Sequence, residues 1–143
     1  MSSSSRLRFA ALSLFVVLVG CTNASAQEDS TQKSTGAAPT ISDLTYGPNE
    51  TNVGQSTLVS GELVFEDVDG DVAELALEVR VPGTDVPQAL PRQSTKANGT
   101  QNGKVAIVVS LAPPVVGDYE FVVYLVDAKG NESNRLTGVI QAK

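Results

Sequence analysis

The sequence predicts an all-β protein, a seven-stranded antiparallel sandwich that follows an N-terminal leader and an unstructured linker. Three observations carry this. Beyond residue 38 apolar side chains recur at period two in run after run, turn-forming Gly, Pro and Asn residues punctuate the runs, and no window shows the 3.6-residue period of a helix. Val and Thr are abundant, and both suit a pleated, half-buried surface.

Taken in order, Ile41, Leu44 and Tyr46 mark an opening edge strand. Val59, Gly61, Leu63 and Phe65 share one face of the second. In the third, Leu75, Leu77, Val79 and Val81 alternate with Glu74, Ala76, Glu78 and Arg80, so one face is buried and the other solvated. Arg92 to Lys96 is a weak fourth. Val105, Ile107, Val109 and Leu111 line the fifth, Tyr119, Phe121, Val123 and Leu125 the sixth, and Leu136, Gly138 and Ile140 the last. Turn signals lie at Asp69-Gly70, Pro82-Gly83, Asn98-Gly99, Asn102-Gly103, Val116-Gly117 and Gly130-Asn131.

Composition excludes several kinds of chemistry. The 143 residues hold one domain plus some sequence outside it. Arg6 and Arg8 precede the first acidic residue, Glu28; without them eight basic residues face 16 acidic ones, a charge of −8 that repels nucleic-acid phosphates. Nucleic acid is therefore not an expected partner. With no His and a single Cys, the chain builds no intrachain disulfide, no thiolate or imidazole zinc site and no imidazole-dependent triad. A Gly-x-Ser-x-Gly nucleophile elbow is absent too, and only Tyr46 and Tyr124 are candidates for stacking on a sugar. The expectation is a protein that is not an enzyme and has no catalytic residues.

The N-terminus reads as an address. A polar stretch with Arg6 and Arg8 leads into Phe9–Gly20, an uncharged run of twelve residues with one polar member. Such a run is too short to cross a bilayer and fits the apolar core of a signal peptide. Leu18-Val19-Gly20-Cys21 then resembles the bacterial lipobox. That resemblance implies a signal peptide over residues 1–20, cleavage before Cys21 and diacylglycerol on its thiol. N-acylation, with palmitate for example, would add a further chain, and several buried chains anchor firmly where one holds marginally. Thr22 in place of Asp implies sorting to the outer membrane by the enterobacterial rule. A competing signal, Ala24-Ser25-Ala26, implies cleavage after Ala26 and a secreted or periplasmic soluble protein. Sequons at Asn23, Asn49, Asn98 and Asn131 would be glycosylated only in a eukaryotic secretory pathway and otherwise are turn residues. From Thr22 to Ala38 no apolar residue exceeds Ala, so residues 21–38 are expected to be the lipidated Cys and a disordered tether.

Residues 39–143 carry a second resemblance. Gly117-Asp118-Tyr119-Glu120-Phe121 is similar to the G-x-Y-x-Φ start of a strand in immunoglobulin-like folds, where Φ is apolar, which implies a tyrosine corner at Tyr119. Phe65–Asp71, Leu75–Pro82 and Val126–Ser133 resemble the bacterial immunoglobulin-like and fibronectin type III-like repeats of surface proteins. The implied fold is a seven-stranded antiparallel immunoglobulin-like β-sandwich, and the implied role is an interaction or structural module of the envelope with an unidentified protein partner.

Two surface features are candidate sites. Asp67, Asp69 and Asp71 repeat at every second residue, and sandwich topology opens their loop at the same end as Asp127, Asn131 and Glu132. Asp67, Asp69, Asp71, Asp127 and Asn131 are therefore candidate calcium ligands, since calcium takes six to eight oxygens; the alternative is a tight Asp-Gly turn with solvated acids. As an EF-hand loop the segment fails, because Val72 stands where the motif needs Gly. If Tyr119 and Phe121 face inward, Val122, Tyr124 and Val126 face outward beside Val139, a candidate partner patch, with Ala106 and Val108 outward on the other sheet. No cofactor is expected other than calcium.

Overall fold

Why these residues make two sheets rather than one follows from the alternation: each strand has one apolar face, and only a second sheet buries it. The computed structural model describes residues 36–143. The signal peptide, Cys21, the Ala24-Ser25-Ala26 signal and most of the linker lie outside the described residues. The elements are β1 (Thr40–Gly47), β2 (Glu50–Thr51), β3 (Thr57–Glu66), β4 (Val72–Arg80), β5 (Gln88–Ala89), β6 (Gln93–Ser94), β7 (Asn102–Leu111), β8 (Gly117–Asp127) and β9 (Leu136–Ala142).

One sheet runs β1-β3-β7; the other runs β2-β9-β8-β4, with β5 and β6 on the outer edge of β4. All pairings are antiparallel except that of β2 with β9. Six long strands fall where alternation predicts them. The fourth expected strand, Arg92 to Lys96, is reduced to the dipeptide β6, and a further dipeptide, β5, precedes it, because Pro82, Pro87 and Pro91 interrupt the ladder across this stretch. Both dipeptides join β4, so among the described residues the edge of β7 is left without a neighbouring strand.

The core is built from the predicted faces. Leu63, Phe65, Val105 and Ile107 of the three-stranded sheet are buried against Leu75, Leu77, Phe121, Val123, Leu125 and Ile140 of the other. Each such side chain contributes roughly 1.5–3 kcal/mol by leaving water. Tyr46 and Phe121 meet edge to face at 4.8 Å between centroids. Gly138 makes that pair possible: a Cβ there would lie 2.4 Å from the Phe121 ring and 2.8 Å from that of Tyr46.

The chain bends along β1 and changes sheet after it. The register of β1 with β3 shifts between Ser42 and Thr45, where Asp43 takes a φ of 50°. Gly61 lies opposite Tyr46, just past the shift, and a Cβ on it would collide with the Thr45 carbonyl oxygen. After Pro48 the chain joins the other sheet as β2. Side chains close the seam that this leaves. The Tyr46 hydroxyl accepts from the Val139 amide at 2.9 Å and donates to the Val139 carbonyl at 3.2 Å, while Asn134 does the equivalent for Ile41. Main-chain groups at two open edges are thus satisfied, which blunts both as templates for aggregation.

Candidate functional site

The acidic turn between β3 and β4 and the turn between β8 and β9 share one construction. Asp67-Val68-Asp69-Gly70-Asp71 and Asp127-Ala128-Lys129-Gly130-Asn131 each begin with a buried Asp and carry Gly at the fourth place. The Asp67 carboxylate accepts the amides of Asp69 at 3.3 Å and Asp71 at 2.8 Å. That of Asp127 accepts the amides of Lys129 at 2.9 Å and Asn131 at 2.7 Å, plus the Asn131 side-chain amide at 2.6 Å. In both, the Gly amide returns to the first Asp carbonyl, and Gly70 (φ 68°) and Gly130 (φ 86°) supply the left-handed step. The two turns touch where the Ala128 amide donates to the Asp71 carbonyl at 2.9 Å. This repeat is legible in the sequence as Asp-x-x-Gly at two places, a pattern of turn-building aspartates rather than of metal ligands.

Each candidate calcium ligand therefore has an observed role. Asp67 and Asp127 point inward onto main-chain amides. Asp69 and Asp71 share the Lys129 ammonium, 3.2 Å from an oxygen of each. Asn131 is bound to Asp127. Among the described residues, no three or more acidic, His or Cys side chains are grouped to hold a metal ion. The electrostatics agree with an internal cation. The Ala37 amide, and then Lys129, holds the Asp69 carboxyl below its usual range, and Asp69 and Asp71 raise the Lys129 ammonium. Asp71 keeps one buried oxygen without a hydrogen-bond partner.

The junction with the linker lies at this same end. The Ala37 amide donates to Asp69 Oδ2 at 3.0 Å, and Gly36 sits against Lys129. Gly36 to Ala38, which composition placed in the tether, are thus seated on the acidic turn.

The partner patch needs correction. Tyr124 and Val126 are buried, at 6% and 3% exposure, and with Ala76 form a small cluster on the outer face of the larger sheet. Arg135 roofs it: its guanidinium lies 4.0 Å above the Tyr124 ring and bonds Glu78 at 3.1 Å and Glu132 at 2.9 Å. The Tyr124 hydroxyl donates to Glu78 at 3.3 Å. A long charged side chain covering apolar surface is invisible to an inside-outside alternation. Val122 is half-buried, and only Val139, at 45%, stays open as expected. On the three-stranded sheet Val108 is 50% exposed, and its neighbour Leu58, which the alternation did not single out, is 63% exposed.

The Tyr119 side chain is buried beneath the turn before β8. Its hydroxyl donates to the Val115 carbonyl at 3.0 Å and receives the Val115 amide at 3.3 Å, the corner geometry that the sequence implied. Strand order, corner and the flanking of the core by β1-β3-β7 and β4-β8-β9 define an immunoglobulin-like β-sandwich.

No protein-family model and no curated protein matches the sequence. Solved structures share the layout loosely. A Niemann-Pick type C2 protein from the Japanese carpenter ant is 12% identical, with 78% of this chain and 98% of that one covered and a TM-score of 0.49. The PKD domain of an M14-like peptidase from a Thermoplasmatales archaeon is 17% identical over 73% and 92%, with a TM-score of 0.43. A superoxide reductase (neelaredoxin) from Ignicoccus hospitalis is 10% identical over 75% and 81%, with a TM-score of 0.46. At such scores the fold assignment rests on strand order and the tyrosine corner, and no activity in these names transfers.

Proposed function

We propose that this chain is a non-enzymatic module of a bacterial cell envelope, held to the outer membrane by lipid on Cys21 and engaging another envelope protein. The observation that carries the reading is Leu18-Val19-Gly20-Cys21, placed directly after an uncharged apolar run and containing the chain's only cysteine. Two features support it. The described domain needs no disulfide, so Cys21 is free for another use, and the chain enters that domain at one end, through Ala37 on Asp69. At that end Asp67 and Asp127 hold turn amides, and Asp69 and Asp71 share Lys129.

Mass spectrometry of the mature N-terminus tests the anchor. The expected species begins at Cys21 and carries a diacylglycerol with or without a third acyl chain. A species beginning at Gln27 would overturn the anchor and establish the secreted form.

A further inference from the structure

Among the described residues β7 is the outer edge of the three-stranded sheet and pairs over its whole length with β3 alone. Gln93 Nε2 donates to the Val108 carbonyl at 3.2 Å, so the main chain of Val108 faces away from β3. By the alternation of an antiparallel ladder, the N–H and C=O groups of Ala106 and Lys104 face the same way. Opposite stands β6, bound to β4 on one side only. Between the two edges lies a groove of about 580 Å³, bounded by residues 93–97 and 102–106 and floored by the core side chains Phe65 and Leu75.

The charge of this groove differs from that of the rest of the protein. It is lined by Lys96 and Lys104 and by no carboxylate, in a chain of net charge −6. Lys104 is paired with Glu62. Arg80, Arg92, Lys129, Arg135 and Lys143 each face a carboxylate as well. Among the described residues Lys96 is the cation without an ion pair. A strand edge open at Lys104 and Ala106, an apolar floor and an uncompensated cation together specify a ligand: main chain to continue the sheet, an apolar side chain for the floor, and an acid for Lys96.

Resting on the reading of the domain as an interaction module, we propose that this groove takes an extended segment of a partner protein, added to β7 as a further strand, with an acidic side chain on Lys96. A second copy of this chain fits less well, because β7 contains no Asp or Glu to meet Lys96.

The probes are fluorescein-labelled peptides of about ten residues, the length of an ordinary strand. They alternate Val with Thr and carry Glu, Gln or Lys at one Thr position. Their binding to the full chain is followed by fluorescence anisotropy. The Glu peptide is expected to bind roughly five- to ten-fold more tightly than the Lys peptide, with the order reversed by Lys96→Glu. Ala106→Pro removes an outward N–H without touching the ladder to β3 and is expected to weaken the Glu peptide about ten-fold at unchanged melting temperature. If that variant does not fold, Lys96→Glu and Lys96→Ala decide the matter. Absence of binding by every peptide, or binding indifferent to charge and to these substitutions, overturns the proposal. So does a concentration-dependent dimer in sedimentation that Ala106→Pro abolishes, since the occupant is then a second copy. None of these outcomes bears on the anchor, which the N-terminal mass decides separately.

Discussion

Asn134 holds both main-chain groups of Ile41: its Oδ1 accepts the Ile41 amide at 2.7 Å and its Nδ2 donates to the Ile41 carbonyl at 2.9 Å. A side-chain amide thus stands in for one residue of a neighbouring strand, at the point where the edge of β1 meets the approach to β9. Asn134→Ala leaves both groups of Ile41 without a partner. The expected loss is about 1–3 kcal/mol in urea unfolding, because the penalty is that of unpaired groups rather than of the bonds alone. Asn134→Asp keeps the acceptor and loses the donor, and should fall between wild type and Ala.

The paired turns should rank their aspartates by burial. Asp67→Ala and Asp127→Ala each strip a buried acceptor from two main-chain amides and are expected to cost about 2–3 kcal/mol. Asp69→Ala removes an exposed ion pair and should cost far less than either. Thermal melts of the three variants check the order, and a large effect at Asp69 alone would contradict it.

Gly138→Ala tests the packing of Tyr46 on Phe121. The added methyl meets both rings, so one must leave its position, at an expected cost of about 1–3 kcal/mol. Tyr46→Phe keeps the ring contact but drops the hydroxyl from Val139 and should cost roughly 1 kcal/mol.

The link between Ala37 and Asp69 is sensitive to acid. The folded-state value of Asp69 lies below its ordinary 3.8. Its stabilising contribution is therefore complete above that ordinary value and is lost as pH falls through the lowered one. Amide exchange at Ala37 should accordingly stay slow at neutral pH and speed up below about pH 4, beyond the intrinsic pH dependence. In Asp69→Asn that acid-induced component should disappear.

Calcium has to displace the Lys129 ammonium before Asp69 and Asp71 can share it. Millimolar calcium is accordingly expected to move the melting temperature by less than about one degree. A rise of several degrees, larger still in Lys129→Met, would show displacement and restore the calcium site.

Much of the fold was legible because burial and alternation are local. Leu63, Phe65, Leu75, Leu77, Val105, Ile107, Phe121 and Val123 were assigned to the core by period alone, and they are there. Tyr119 was legible for the same reason, through its place at the head of a strand. Tyr124 and Val126 were not. Their cover comes from Arg135, which follows the next turn, and no periodicity reports where a flexible guanidinium comes to rest.

The sequence by itself determined the all-β class, the six long strands, the inward faces and the absence of imidazole and disulfide chemistry, all of which depend on residue type and near-neighbour spacing. Tertiary structure decided what depends on groups distant in the chain. It turned the aspartates of the acidic turn onto amides and Lys129, closed the seam with Asn134 and Tyr46, and left β7 facing a groove in which Lys96 has no carboxylate. Those outcomes are set by which polar groups the two sheets bring within hydrogen-bonding distance once apolar burial has fixed their positions.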